Sequence, residues 1–154
     1  MSRAEDVEAL IIAAHRLTRV AALETNSQTP AAQWRTLAIL RDNGPQRIGE
    51  LARLSRVTQP GMTRLIGTMT ELGLVERRDE PGDSRAVQIV ATERGVAAYA
   101  QWRAHLVDAM LPRFEGLSAE EWAVIRQAAA LLNDRIAPAT AAPATSDIEN
   151  GETE

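Results

Sequence analysis

Five residues between 58 and 64 (Thr58, Gln59, Gly61, Thr63 and Arg64) have the chemistry to contact a nucleic acid. On a helix they fall within two turns. A threonine hydroxyl beside the unpaired amides and positive dipole end of a helix start can hold a phosphate. A glutamine carboxamide pairs with adenine edges, and an arginine pairs with guanine O6 and N7 or with a phosphate. Glycine at 61 lets the backbone come close. Taken alone, these residues would equally suit the solvent-facing start of a surface helix. The segment that follows tips the balance. LVERRD and AVQIVA read as two strands around a turn containing Pro81, Gly82 and Asp83. This hairpin mixes Arg77, Arg78 and Arg85 with Glu76, Asp79, Glu80 and Asp83, so several of its charges serve only to pair with one another. A helix suited to the major groove, next to a basic loop suited to the minor groove, is the arrangement of a winged helix-turn-helix.

The elements that must position these groups follow from periodicity and caps. Apolar residues at three- and four-residue spacing (Val7, Leu10, Ile11, Ala14, Leu17, Ala21) predict an amphipathic helix over 5–24, about 30 Å long. Thr29-Pro30 reads as the cap and first position of a second helix, which carries Trp34, Leu37 and Leu40 and stops at Asn43-Gly44-Pro45. A short third helix covers 48–54, with Arg47 where a capping side chain is expected. SRVT at 55–58 is the turn, with Thr58 capping a fourth helix that ends at Gly73. Leu51, Leu54, Val57, Leu65, Ile66, Met69 and Leu72 recur at helical spacing and are expected in the core. Thr92 caps a long fifth helix ending near Pro112. Ser118 and Glu121 form a capping box that opens a sixth, with Trp122, Ile125, Ala129, Leu132 and Ile136 on one face. From Pro138 the chain turns to Pro, Ala, Thr, Ser and acids, which predicts a disordered acidic tail over 138–154.

Composition narrows the function classes. The 154 residues hold no cysteine, which excludes disulfides, thiolate catalysis and a cysteine redox switch. The longest purely apolar run, ALIIAA at 9–14, is too short to span a bilayer, and the early acids do not suit a signal peptide. A cytoplasmic protein without membrane association is expected. The net charge of -4 looks unsuited to DNA, but all 17 basic residues are arginine and four of the 21 acids lie in the tail. Residues 1–137 are therefore neutral. Between 46 and 70, Arg47, Arg53, Arg56 and Arg64 face a single acid, Glu50, which places a local basic surface on a neutral body. A GC-rich genome would explain the absence of lysine but not this clustering. No metal-ligand spacing, phosphate loop or nucleophile motif occurs, so neither a metal nor a cofactor is expected.

The order helix, helix, helix-turn-helix, hairpin, helix, helix resembles the MarR (multiple-antibiotic-resistance regulator) family over roughly residues 5–137. QWRTLAIL, IGELAR…TQPGMTRLI, ELGLVERR and PGDSRAVQIVATERG carry the resemblance. Ala91 stands where the family usually has leucine, and Arg47 where a capping hydroxyl is common. The resemblance implies a mainly α fold with a small β-hairpin wing. The DNA-binding lobe would cover about 31–92, and dimerisation helices about 5–24 and 94–136. It further implies a ligand-responsive transcriptional regulator, most often a repressor, acting as a homodimer on a pseudopalindromic double-stranded DNA operator. In such proteins the arginine of an Asp-X-Arg wing enters the minor groove with the aspartate orienting it, which here means Asp83 and Arg85. A small aromatic or phenolic effector would occupy the crevice between the dimer helices and the lobe, where His15, Arg16, Trp34, Trp102 and His105 are candidates. Two isolated histidines are otherwise ordinary surface or structural residues. The competing readings are a winged helix that binds protein rather than DNA, and a small enzyme, for which the chain offers no acid/base pair.

Overall fold

The computed structural model describes residues 2–25 and 29–136. The acidic segment expected as an unfolded tail lies outside the described residues. Helix α1 (Arg3–Glu24) begins at a capping box that the sequence reading missed. Ser2 Oγ accepts the Glu5 amide and Glu5 Oε2 accepts the Ser2 amide at 2.6 Å, so the helix starts two residues earlier than its apolar pattern indicates. Helix α2 (Ala31–Asn43) starts one residue later than expected. Pro30, not Thr29, occupies the cap position, because its ψ of 132° is extended; its carbonyl accepts the Gln33 amide at 2.9 Å. The second helix ends at Gly44, as its Asn-Gly-Pro sequence indicates.

Helices α3 (Ile48–Ser55) and α4 (Gln59–Glu71) form the helix-turn-helix. The turn between them carries Arg56 at φ 56°, ψ 43°, a left-handed conformation that costs a side-chain-bearing residue energy. Thr58 Oγ1 caps α4 by accepting the Gly61 amide. Gly73, at φ 70°, closes α4 as expected, with the Gly73 and Leu74 amides returning to the Thr70 and Met69 carbonyls. Strands β1 (Val75–Glu80) and β2 (Asp83–Ala91) pair antiparallel from Val75 opposite Ala91 to Glu80 opposite Asp83, with an irregularity at Asp79/Glu80. The connection is shorter than expected, because Asp83 already belongs to β2. An isolated bridge between Gln46 and Ile89 fastens the hairpin to the chain two residues before α3.

The buried core lies inside this lobe. Leu37 and Leu40 from α2 meet Leu51 from α3, Met62, Ile66 and Met69 from α4, and Val75 and Ile89 from the hairpin. Met62 was not singled out in the sequence, yet it is fully buried. Leu72 departs from expectation in the other direction: it is 45% exposed, because the C-cap position of α4 turns it away from that cluster.

Helix α5 (Glu93–Met110) leaves the wing directly. Thr92 Oγ1 accepts the Gly95 amide as its cap and donates to the Gly73 carbonyl at 2.6 Å. A 3-10 turn (Leu111–Phe114) follows, and then α6 (Ala119–Ile136), opened by the Ser118–Glu121 capping box. Helix α1 lies along α5, and Arg113 is ion-paired to Glu24. Along α1 only Ala21 is buried, and α6 buries no residue at all. Among the described residues no helix is long and apolar enough to cross a membrane.

Candidate nucleic-acid interface and effector cavity

Thr58, Gln59, Thr63 and Arg64 are all exposed at the start of α4. Their hydrogen bonds define what each can still offer. Thr58 Oγ1 accepts from Gly61, which leaves its O–H to donate outward. Thr63 Oγ1 donates to the Gln59 carbonyl at 3.0 Å, which leaves its lone pairs. The helix-start amides contribute less than the sequence reading supposed. Pro60 has no N–H, Gly61 is bound by Thr58 Oγ1, and the Met62 amide returns to the Thr58 carbonyl, leaving the amide of Gln59. Gly61 fits tightly, because a Cβ there would lie 3.0 Å from Thr58 Oγ1.

The arginines divide into two groups. Arg53 is paired with Glu50, Arg78 with Glu76, and Arg47 with Glu80. The hydrogen bond from Arg53 holds the Glu50 carboxyl below its ordinary value of 4.5. Among the described residues, the guanidiniums of Arg56, Arg64, Arg77 and Arg85 make no ion pair, so their charge is available to a polyanion. Half of the expected cluster at 46–70 is thus internally neutralised, and the remaining half flanks the helix-turn-helix turn and the front of α4. At the wing, Asp83 Oδ1 accepts the backbone amide of Arg85 at 3.1 Å. The aspartate therefore shapes the loop through the main chain, and among the described residues the Arg85 guanidinium makes no ion pair with it.

Arg47 explains its own place in the sequence. It does not cap α3. Instead its Nε and Nη2 reach Glu80 Oε2 at 2.7 and 2.6 Å, joining the start of α3 to the far end of β1. With the Gln46–Ile89 bridge, this contact fixes the wing relative to the helix pair.

A cavity of about 770 Å³ opens between α1, α2 and α5. Its walls include Leu17, Ala21, Trp34, Trp102, Leu106 and Phe114. The Trp34 and Trp102 rings stack at 5.1 Å, and Tyr99 continues the stack at 5.6 Å from Trp102. The indole N–H of Trp34 is buried without an acceptor among the described residues. Arg35 is the one charged residue among the described lining, and its Nη1 donates to the Ser55 carbonyl at the end of α3, 3.0 Å away. Of the five residues expected in the crevice, the structure brings Trp34 and Trp102 into this wall. His105 lines a separate cavity of about 270 Å³ together with both tryptophans. His15 and Arg16 are exposed on α1 and are not among the lining of either cavity.

A sequence model of the MarR family matches residues 27–86, the span that holds the helix-turn-helix and the wing tip. An HTH-type transcriptional regulator of Mycobacterium leprae is 30% identical over 113 residues, covering 72% of this chain and 79% of that protein. The chain belongs to the MarR family. The HTH-type transcriptional repressor NicR of Pseudomonas putida is 34% identical over 85 residues, covering 55% of this chain and 49% of NicR. A solved MarR family protein from Bacillus stearothermophilus superposes with a TM-score of 0.66 at 24% identity, covering 88% of this chain and 95% of the other, which shows a shared fold. The protein is a DNA-binding transcriptional regulator and not an enzyme.

Proposed function

We propose that this MarR-family regulator acts in the cytoplasm as a homodimeric repressor that grips a pseudopalindromic operator. In each subunit Thr58, Gln59, Gly61, Thr63 and Arg64 would enter a major groove, with Arg85 in the adjoining minor groove and Arg77 and Asp83 supporting the wing. The observation that carries this reading is the set of unpaired guanidiniums on two separate elements, α4 and the wing, held in one lobe by the Arg47–Glu80 ion pair. Repression is suggested by the similarity to NicR, whose name describes a repressor.

The dimer follows from what one subunit leaves unburied. Val7, Ile11 and Leu23 on α1 and Val124, Leu131 and Ile136 on α6 are all more than half exposed. Apolar burial is worth about 25 cal/mol per Å², so two helices of this length without an apolar partner would be poorly held. A two-fold mate supplies the missing surface and would set the two α4 helices about 34–36 Å apart, one turn of DNA.

The cavity between α1, α2 and α5 is the proposed effector site. Its stacked indoles suit a planar aromatic molecule, and the Trp34 N–H would be satisfied by an acceptor such as a phenolic oxygen. An occupant that favours a different spacing of the two lobes would shift the population away from the DNA-competent form. His15, Arg16 and His105 would take part only where the partner subunit completes the crevice. A protection footprint on the duplex upstream of the protein's own gene tests the central reading. Two protected half-sites one turn apart, both lost in Arg64→Ala, support it. Protection that is indifferent to Arg64 and Arg85 would favour a protein-binding winged helix.

A further inference from the structure

Helix α2 is the wall shared by the larger cavity and the DNA-binding lobe. Ala31, Trp34, Arg35 and Ala38 line the cavity, at the three- and four-residue spacing of one helix face. Leu37 and Leu40, from another face of the same helix, are buried in the lobe core. Arg35 belongs to the cavity side and yet reaches past it. This half-buried residue donates from Nη1 to the carbonyl of Ser55, 3.0 Å away and 20 residues further along the chain.

That carbonyl stands at the end of α3, where the turn toward α4 begins. The Arg56 and Val57 amides return to the Arg53 and Ala52 carbonyls, whereas the Ser55 carbonyl is taken up by Arg35. Ser55 is fully buried, and its Oγ has no hydrogen-bond partner among the described residues. The next residue, Arg56, is the one non-glycine residue among those described with a positive φ. A left-handed arginine and an orphaned hydroxyl both cost energy, and one hydrogen bond from a charged donor returns an amount of similar size. The turn that aims α4 is therefore kept in a strained form by a contact that starts in the cavity wall.

We propose that Arg35 is a positioning residue that couples the larger cavity to the helix-turn-helix. With its guanidinium on the Ser55 carbonyl, the turn keeps Arg56 left-handed and α4 stays set for the major groove. An occupant whose hydrogen-bond acceptor draws the guanidinium into the cavity removes that hold. The turn then relaxes toward an ordinary backbone conformation and carries α4 off its line. Arg35 itself touches no DNA in this scheme. The inference rests on the reading of the larger cavity as an effector site and adds the route by which occupancy reaches the DNA-binding helix. Coupling between two sites is reciprocal, so duplex DNA that fixes the turn must also be felt in the cavity wall.

Reciprocity allows a test that needs no effector. The full-length protein, isotope-labelled at its tryptophan indoles, would be saturated with the duplex upstream of its own gene. The Trp34 resonance, next to Arg35 in that wall, should shift, and in Arg35→Gln it should stay in place at saturation. The variant should bind the duplex about tenfold more weakly, the range for one lost charge-assisted hydrogen bond. Its dependence on salt should match the parent's, because no phosphate contact is lost. If the glutamine variant does not fold, Arg35→Lys, which keeps one donor, takes its place and should show a smaller Trp34 shift than the parent. Titration with phenol, read at the Trp34 and Trp102 indoles, tests the effector reading separately. A cavity indifferent to phenol would count against that reading and not against the link between Arg35 and the turn. Saturation of the parent with duplex and no movement of Trp34 overturns the proposal without any variant. So does a Trp34 shift that persists in Arg35→Gln, or an affinity that this change leaves untouched. A salt slope shallower by about 2 would also overturn it, since that marks an arginine binding phosphate in each half of a dimer.

Discussion

Replacing Gly95 with alanine should destabilise this protein, whereas the same change at Gly67 should stabilise it. Both glycines lie in helices, and helix propensity alone favours alanine by about 1 kcal/mol at each. Their surroundings differ. At Gly67, within α4, an added Cβ meets nothing within 4 Å. At Gly95, in the first turn of α5, it would overlap the Leu74 carbonyl oxygen, with the carbonyl carbon at 2.9 Å and Leu37 Cδ2 at 3.3 Å. The leucine methyl can move, but the carbonyl cannot do so freely, because it accepts the Thr92 amide at 3.1 Å. Overpacking costs about 1–3 kcal/mol, and losing that hydrogen bond about 1 more. After the propensity gain, Gly95→Ala should lose about 1–3 kcal/mol, or roughly 3–10 °C of melting temperature for a chain of this size. Gly67→Ala should gain about 0.5–1 kcal/mol. Urea unfolding followed by circular dichroism, at one fixed protein concentration because a dimer's stability depends on it, measures both. If Gly95→Ala proves as stable as the parent, the close seating of α5 on the α4–β1 junction is wrong.

Three further outcomes follow from the same geometry. Glu80→Gln removes an acid from a loop meant for DNA, so charge alone would raise affinity. If the ion pair with Arg47 positions the wing, affinity falls instead, by roughly 3- to 5-fold for an exposed pair, and a gel-shift titration showing tighter binding would refute that role. Arg56→Gly relieves a left-handed residue, so the melting temperature should stay level or rise by the equivalent of up to about 1 kcal/mol; a clear fall would contradict the strain. The Glu50 carboxyl, held down by Arg53, should titrate below 4.5 by carbon-detected NMR and return to its ordinary value in Arg53→Gln. A depressed carboxylate stabilises the fold above its unfolded value and loses that contribution as the pH falls through its folded value, so any effect of this pair should appear only in acid.

What the sequence disclosed was local. Thr58 with Gly61, Thr92 with Gly95 and Ser118 with Glu121 are caps whose partners lie three residues away, so chain order alone announces them. The element order and the choice of Arg64 follow from the same short-range logic, whereas Arg85 stands out only through the resemblance of the Asp-X-Arg wing to the family. Longer contacts stayed hidden. Nothing near Arg47 indicates that it will meet Glu80, 33 residues on, and its failure as a cap was the only sign of another task. The positions of Trp34 and Trp102 in the chain give no hint of their stack, and a helical wheel cannot say which stripe of α1 faces α5, so it does not exclude His15 and Arg16 from the crevice. The exchange of Leu72 for Met62 in the core has the same origin: near a helix end, spacing does not fix which residue turns inward.

The central claim is that free guanidiniums on α4 and the wing hold duplex DNA. Affinity for the duplex upstream of the protein's own gene, measured by fluorescence anisotropy as salt is raised, tests it most directly. Four available arginines per subunit set a limiting log–log slope of about -7 for a dimer, at roughly -0.9 per neutralised phosphate. The account predicts a slope approaching that limit, which becomes shallower by about 2 when Arg64→Ala removes one charge from each half of the dimer. A binding constant that barely responds to salt, or a slope unmoved by Arg64→Ala and Arg85→Ala together, would contradict it.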